Sequence, residues 1–350
     1  MSDWTFFRRV LIVGAVVALA LLAWHLAQVF LLIFGTVLIG LLLSGAADAL
    51  TRWTRLPRAV ALTVVVFMMI GFVVAIAFLF GSQISAQAVD LGQRLPGAVD
   101  KLEEQFQLGD ISGRVMQQLQ SNTGNIFWQI TSVAGTILSV VGLAVLLLVS
   151  SVFIAAQPSL YREGALKLMP PSQRPQIAET MDFAAAALRQ WLGGQLISCL
   201  IVGTLATVGL WLIGLPSPLA LGLIVGVAEF VPYAGPLVGA LPALLLAVTQ
   251  SWTDATWTLG LFLVIQQLES NMITPLIQRR MVALPPVLTL FAVVGLGLLF
   301  GPLGVLFGAP LTVLIFVAVN RLYVRGLLDE PTIVPGEKQV QEEKRAERKA

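Results

Sequence analysis

The sequence predicts an all-α polytopic membrane protein of about eight transmembrane segments, with two broken or re-entrant helical hairpins in an inverted-repeat C-terminal half. Three observations predict it. Of 350 residues, 57% are hydrophobic and only 11% charged, against roughly 25% charged in a soluble domain. That is too few charges to cover a water-exposed surface of this size. The apolar residues gather into runs, most near or above the roughly 20 residues that cross a bilayer core. Prolines and glycines interrupt two runs of the second half at comparable places.

The runs are 10–23, 26–43, 59–81, 130–156, 195–215, 218–248, 255–274 and 287–319. The first two are separated only by Trp24 and His25 and read as a tight helical hairpin, with His25 an interface residue beside the tryptophan. Arg8-Arg9 ahead of a short apolar run resembles a signal peptide, but no small-residue cleavage site with a polar start follows, so an uncleaved anchor is expected. Residues 1–81 are thus N-terminal transmembrane helices. Residues 82–129 carry apolar positions at helical spacing among charges and read as extracytoplasmic amphipathic helices. Another transmembrane helix follows at 130–156. Residues 157–194 form a cytoplasmic amphipathic segment, with Pro158, Pro170, Pro171 and Pro175 at helix starts. Residues 195–319 form the core, and 320–350 a charged cytoplasmic tail, disordered or a solvated helix. Trp53, Trp252 and Trp257, with Trp4, Trp24 and Trp128, fall at expected interfaces, as an aromatic belt does.

Charge sorting gives the orientation. With the N-terminus in the cytoplasm, 18 of the 21 basic residues lie inside, and only Arg94, Lys101 and Arg114 lie outside. Both termini are therefore expected in the cytoplasm.

Several chemistries are excluded. Cys199 is the single cysteine and His25 the single histidine, so neither a disulfide scaffold nor a His/Cys zinc cluster can be assembled, and a serine-hydrolase triad would have only His25 to draw on. No phosphate-binding glycine loop or dinucleotide fingerprint occurs, and a net charge of +2 gives no case for nucleic acid. The chain reads as a non-enzyme without cofactor. Cys199 reads as a packing residue, and Gly193-Gly194 as small residues permitting close helix approach.

The second half carries the site. Between Arg189 and Arg279 there is no basic residue, and the acids are Glu229, Asp254 and Glu269. Run 218–248 breaks at Glu229-Phe230-Val231-Pro232-Tyr233-Ala234-Gly235-Pro236, because each proline removes a helical donor and crowds the preceding turn. Run 287–319 breaks at Gly301-Pro302-Leu303-Gly304. Each break is followed by a further proline, Pro242 or Pro310. With the orientation above, the helix before the first hairpin runs in-to-out and that before the second out-to-in. Such inverted pairs with discontinuous helices characterise secondary transporters, whose sites lie at the breaks. Irregular backbone at that depth survives only where it lines protein or a water-filled cavity. A carboxylate at membrane depth costs roughly 2.5–3.5 kcal/mol on insertion scales and marks a pathway or proton relay. Glu229, Pro232, Tyr233, Gly235 and Pro236 at one break, Gln266, Glu269, Asn271 and Pro275 on run 255–274, and Gly301, Pro302 and Gly304 at the other are therefore the candidate substrate-lining residues.

The same residues carry a family resemblance. Glu229 to Pro236 followed by Pro242, Gln267-Leu268-Glu269 with Asn271 and Pro275, the Leu284-Pro285 step, Gly301-Pro302-Leu303-Gly304 with Pro310, and Gly194-Gln195 together resemble the signature of the autoinducer-2 exporter family of bacterial permeases. Trp191 stands where that pattern has a tyrosine. The resemblance implies an eight-helix, homo-oligomeric transporter of the bacterial inner membrane, with members linked to autoinducer-2 export and others to sodium/proton exchange. The leading expectation is a secondary transporter that exports small polar organic solutes, autoinducer-2 among them, coupled to protons. The alternatives are a sodium/proton antiporter using both glutamates, and a non-transporting scaffold working through its external helices and tail.

Overall fold

The structure is a computed structural model that describes residues 11, 12, 14, 21, 26–75, 142–232, 235–278 and 284–347. Every regular element among these residues is helical. The expected external helices of 82–129, and Trp4, Trp24, His25, Trp128 and Tyr233, lie outside the described residues.

α1 (Ala27–Thr54) stops at Arg55, whose left-handed backbone (φ 58°) lets its N–H reach the Thr51 carbonyl. α2 (Arg58–Ala75) begins three residues later. Arg58 pins this turn: Nε donates to Asp48 Oδ1 at 3.1 Å, and Nη2 to Ser44 Oγ at 3.0 Å. The same Nη2 reaches the Ala155 carbonyl at 3.4 Å, at the end of α3 (Gly142–Ala156). The chain then bends by 90° into α4 (Pro158–Lys167).

α5 (Arg174–Ile213) organises the molecule. Pro175 in its first turn suits a helix start, where a missing N–H has no partner to lose. Its 40 residues make a rod of about 60 Å, twice the roughly 30 Å hydrocarbon core. The expected boundary between 194 and 195 is therefore a change of environment along one unbroken helix. Arg174, Glu179, Asp182 and Arg189 lie in its first half, and its second half carries no charge.

The first broken hairpin follows: α6 (Pro218–Ala228), the break, and α7 (Gly235–Gln250). α6 lies against α5 because glycines remove the side chains between them. A Cβ on Gly222 would sit 2.8 Å from the Gly203 carbonyl oxygen, and one on Gly226 would sit 2.9 Å from that of Cys199. α8 (Trp252–Leu268) starts with Ser251 Oγ accepting from the Asp254 N–H at 3.0 Å, the side-chain cap that the first turn requires. It continues through a π-helical turn (Glu269–Ile273) into α9 (Thr274–Gln278).

The second hairpin is α10 (Pro286–Phe300) and α11 (Pro302–Ala318). Its second arm runs past the end of the expected run at 319, through a second π-helical turn to Val324, giving 23 residues that are long and apolar enough to cross a membrane. The cause is local: Leu322, Tyr323 and Val324 remain apolar, and the helix widens instead of ending. The two hairpins still share a joint. Val225 and Val293 each stand seven residues after the proline that opens their arm. A Cβ on Gly239 would lie 2.7 Å from Val225 Cα, and one on Gly308 would lie 2.8 Å from Val293 Cα.

Among the described residues, four helices are long and apolar enough to span (α1, α2, α5 and α11 with its π turn), or five if bent α3 and α4 count as one. Long helices among the described residues do not reach the expected eight: α6, α10 and the apolar part of α7 are shorter, and most of run 10–23 and residues 130–141 lie outside the described residues.

Two apolar cores flank the middle of α5. Phe183, Ala187 and Trp191 pack with Leu31 and Leu38 of α1 and with Phe307, Val313 and Val317 of α11. Val202, Ala206 and Leu210 pack with Leu221 and Val225 of α6, Ala243 of α7, and Phe262 and Ile265 of α8.

The tail corrects an expectation. Its described part is the helix that one alternative expected, α12 (Glu337–Glu347), with Lys338, Gln341, Glu342 and Arg345 exposed, but the helix docks on α5. Val334 and Val340 are buried in the first core, and Gly336 (φ 83°) sits against the backbone at Phe183 and Ala187. Two well-placed valines and one glycine hold a segment that is otherwise charged. Ion pairs tie the same region together: Arg325 Nη2 bonds Glu337 Oε2 at 2.8 Å, and Arg321 pairs with Glu179 of α5.

Candidate functional site

The site forms where the α6 helix gives out. Glu229 is the residue at which α6 ends; its N–H still bonds the Val225 carbonyl at 2.9 Å, but its own carbonyl lies past the last regular turn. A helix end leaves such carbonyls without an internal partner. Here α5 supplies one: Gln195 Nε2 donates to Glu229 O at 2.6 Å. One turn further along the same face, Ser198 Oγ donates to Glu229 Oε1 at 3.4 Å. Cys199, half-buried, lies beside the same carboxyl.

Glu269 approaches from α8. It opens the π-helical turn, and π turns of this kind recur at functional sites because the wider turn redirects side chains. Glu229 and Glu269 lie close enough for each carboxyl group to act on the other. Glu229 is 1% exposed and Glu269 6%. No basic group among the described residues acts on either. Two buried carboxylates cannot both stay charged at contact, so a contact of this kind is held by a shared proton or by a cation. The Oε2 atom of each has no hydrogen-bonding protein donor. The pair therefore offers oxygen atoms that suit a proton, a small hard cation or a hydrogen-bonding solute.

The candidate residues separate by position. Glu229 and Glu269 come together. Pro232 is half-buried in the turn after Glu229, Gly235 and Pro236 open α7, and Gln266 is half-buried on α8. Asn271 is exposed and bonds back to the Gln267 carbonyl at 3.0 Å, away from the pair. Pro275 is exposed in α9. At the second break, Gly301 adopts φ 65° and ψ −144°, Pro302 starts α11, and Gly304 is buried against the Leu296 backbone. Both breaks contribute to the first core: Phe230 and Val231 from one, Phe300 and Leu303 from the other. Phe230 meets Trp191 edge to face at 5.8 Å between centroids, an orientation aromatic quadrupoles favour.

Gln195 and Ser198 are site residues that reading the sequence for charges did not single out. Their signal was available, since Gln195, Ser198 and Cys199 fall at i, i+3 and i+4 in an apolar run and so share a helix face.

Comparison with known proteins agrees with this architecture. Residues 13–323 match the AI-2E family transporter model. The chain is 25% identical over 293 residues to YueF of Bacillus subtilis, covering 77% of this chain and 78% of that protein. It is 36% identical over 150 residues to YrrI of the same organism, covering 43% of this chain and 42% of that one. A Mycobacterium tuberculosis protein is 26% identical over 317 residues, covering 87% of this chain and 85% of its own. All three are provisionally named transport proteins, and none of those names gives a substrate. With the match running through both broken hairpins and the buried glutamates, the chain belongs to the AI-2E family of membrane transporters.

Proposed function

We propose that the protein is a proton-coupled secondary transporter that exports small polar organic solutes, autoinducer-2 being one candidate, from the cytoplasm across the bacterial inner membrane. The observation that carries this reading is the buried Glu229–Glu269 pair at the broken end of α6, with unpartnered oxygens and no basic neighbour among the described residues. Such a pair holds one proton readily and loses it when the site opens to water, so proton occupancy and access are linked. Ser198 and Gln195 hold the Glu229 side chain and main chain. A broken hairpin of this kind can offer backbone groups to a polar solute. Charge sorting supports cytoplasmic termini.

One observation favours a second reading. Two facing carboxyls with a hydroxyl alongside also form an oxygen cage for a small cation, which fits a sodium/proton antiporter. Proteoliposomes loaded with a panel of small polar solutes and given a pH gradient separate the two. Solute efflux that follows the gradient in the absence of sodium is expected. Proton movement that requires sodium and carries no solute would favour the antiporter instead.

A further inference from the structure

We propose that α4 is a membrane-surface helix, seated in the headgroup layer of the bilayer through an apolar edge made by Leu160, Tyr161 and Leu168.

Depth comes first. Asp48 and Arg58 form an exposed ion pair at the turn between α1 and α2, where Arg52 and Arg55 also cluster. Charges gathered at the end of an apolar helix mark its emergence into the interface. Arg58 also reaches the Ala155 carbonyl, so α3 ends at that same level. α4 starts three residues later and runs at 90° to α3. With α3 taken along the bilayer normal, as the crossing expected over 130–156 requires, a helix at 90° to it that starts at headgroup depth lies in the plane of the membrane surface.

The faces of α4 then divide in three. At about 100° per residue, Leu160, Gly164, Leu168 and Tyr161 fall on one arc roughly 100° wide. Leu160 is 60% exposed, Tyr161 46% and Leu168 83%. A second arc faces α5: Arg162, Ala165 and Leu166 are half-buried, and Arg162 makes a two-pronged bond to Asp182 of α5, Nε to Oδ1 at 2.9 Å and Nη2 to Oδ2 at 2.8 Å. The third arc holds Ser159, Glu163 and Lys167, all exposed.

The bilayer is the occupant that fits the apolar arc, for two reasons. The arc follows directly in the chain on α3, where Val145, Leu146, Val149 and Phe153 are likewise exposed, as apolar side chains are where a membrane protein meets lipid. Lys167 flanks the arc, as a cation that extends to lipid phosphates does while its stem stays on apolar surface. Tyr161 supplies the amphipathic ring favoured at that depth. The placement does not depend on what the protein transports.

The test is site-directed spin labelling of the full chain in lipid nanodiscs, in a Cys199→Ser background. Leu160→Cys and Leu168→Cys labels are expected to collide with lipid-dissolved oxygen in preference to an aqueous nickel chelate. Ser159→Cys and Glu163→Cys labels are expected to show the reverse preference. Chelate-favoured collisions at all four positions would overturn the proposal. So would labels at 160 and 168 shielded from both quenchers and dipolar-broadened between subunits, which would make the arc a contact between two copies of the chain.

Discussion

Gln195 and Glu229, 34 residues apart in the chain, are joined by one short hydrogen bond from a side-chain amide to a main-chain carbonyl at 2.6 Å. That bond satisfies the carbonyl that α6 abandons as it ends, and it fixes where the Glu229 side chain starts. Gln195 itself is 7% exposed, so no water can readily take its place.

Replacing Gln195 by leucine therefore strands a buried acceptor. The expected cost is about 1–3 kcal/mol, seen as a lower midpoint in thermal unfolding of the detergent-solubilised protein. Gradient-driven transport should weaken as well. Gln195→Leu with an unchanged midpoint would show that the carbonyl has another partner.

The α5–α6 contact makes a second prediction. Gly226→Leu pushes a side chain into the Cys199 carbonyl, already 2.9 Å from where a Cβ would sit. Overpacking of this kind costs about 1–3 kcal/mol. It should also displace Glu229, which follows three residues later. Thermal unfolding measures the first effect and transport the second. Gly193→Ala, where nothing lies within 4 Å, is the steric control and should not lower the midpoint; alanine's better helix propensity adds up to about 1 kcal/mol of stability.

Gly301 gives a third. Its φ of 65° with ψ of −144° lies in a region that essentially only glycine occupies. Gly301→Ala should cost about 1–3 kcal/mol by strain alone, since nothing lies within 4 Å of the added methyl. Unfolding midpoints of Gly301→Ala and wild type decide it.

Much of the site was legible because a charge in an apolar run cannot be overlooked. Glu229 and Glu269 stood out against a stretch without basic residues, and the prolines after Glu229 signalled a break. That the two carboxyls meet was not legible, because it depends on a π-helical turn whose sequence reads like any other helix. Asn271, a candidate on the same run as Glu269, is exposed and bonded to Gln267. Ser198 was missed, and Gln195 was named only within the family signature, for a related reason: an amide and a hydroxyl in a membrane helix signal little until their partner, distant in sequence, is known. The docked tail was missed because Val334 and Val340 are too few to form a periodic pattern among so many charges. The length of α5 was hidden by its change of polarity, which looks like a boundary between two elements.

The tail makes the pH prediction. The Arg325 guanidinium holds the Glu337 carboxyl below its ordinary range, which is about 4.3 for a free glutamate. A carboxyl whose value is depressed on folding contributes stability that is present above its unfolded value and lost as pH falls through its folded value. Docking of α12 should thus be unaffected at neutral pH and weaken in acid below about pH 4. Hydrogen exchange at 337–347 across a pH series, corrected for intrinsic rates, should show that loss of protection. Glu337→Gln should loosen the segment at neutral pH and flatten the dependence.

The central claim is that Glu229 and Glu269 act as one proton-carrying unit at the broken hairpin. Its most direct measurement is gradient-driven solute flux in proteoliposomes with Glu229→Gln, a change that keeps the shape of the side chain and removes its proton exchange. Loss of pH-driven flux in a protein that still folds, matched by the same loss in Glu269→Gln, is the predicted result. Flux at the wild-type rate and with the wild-type pH dependence in Glu229→Gln would contradict it.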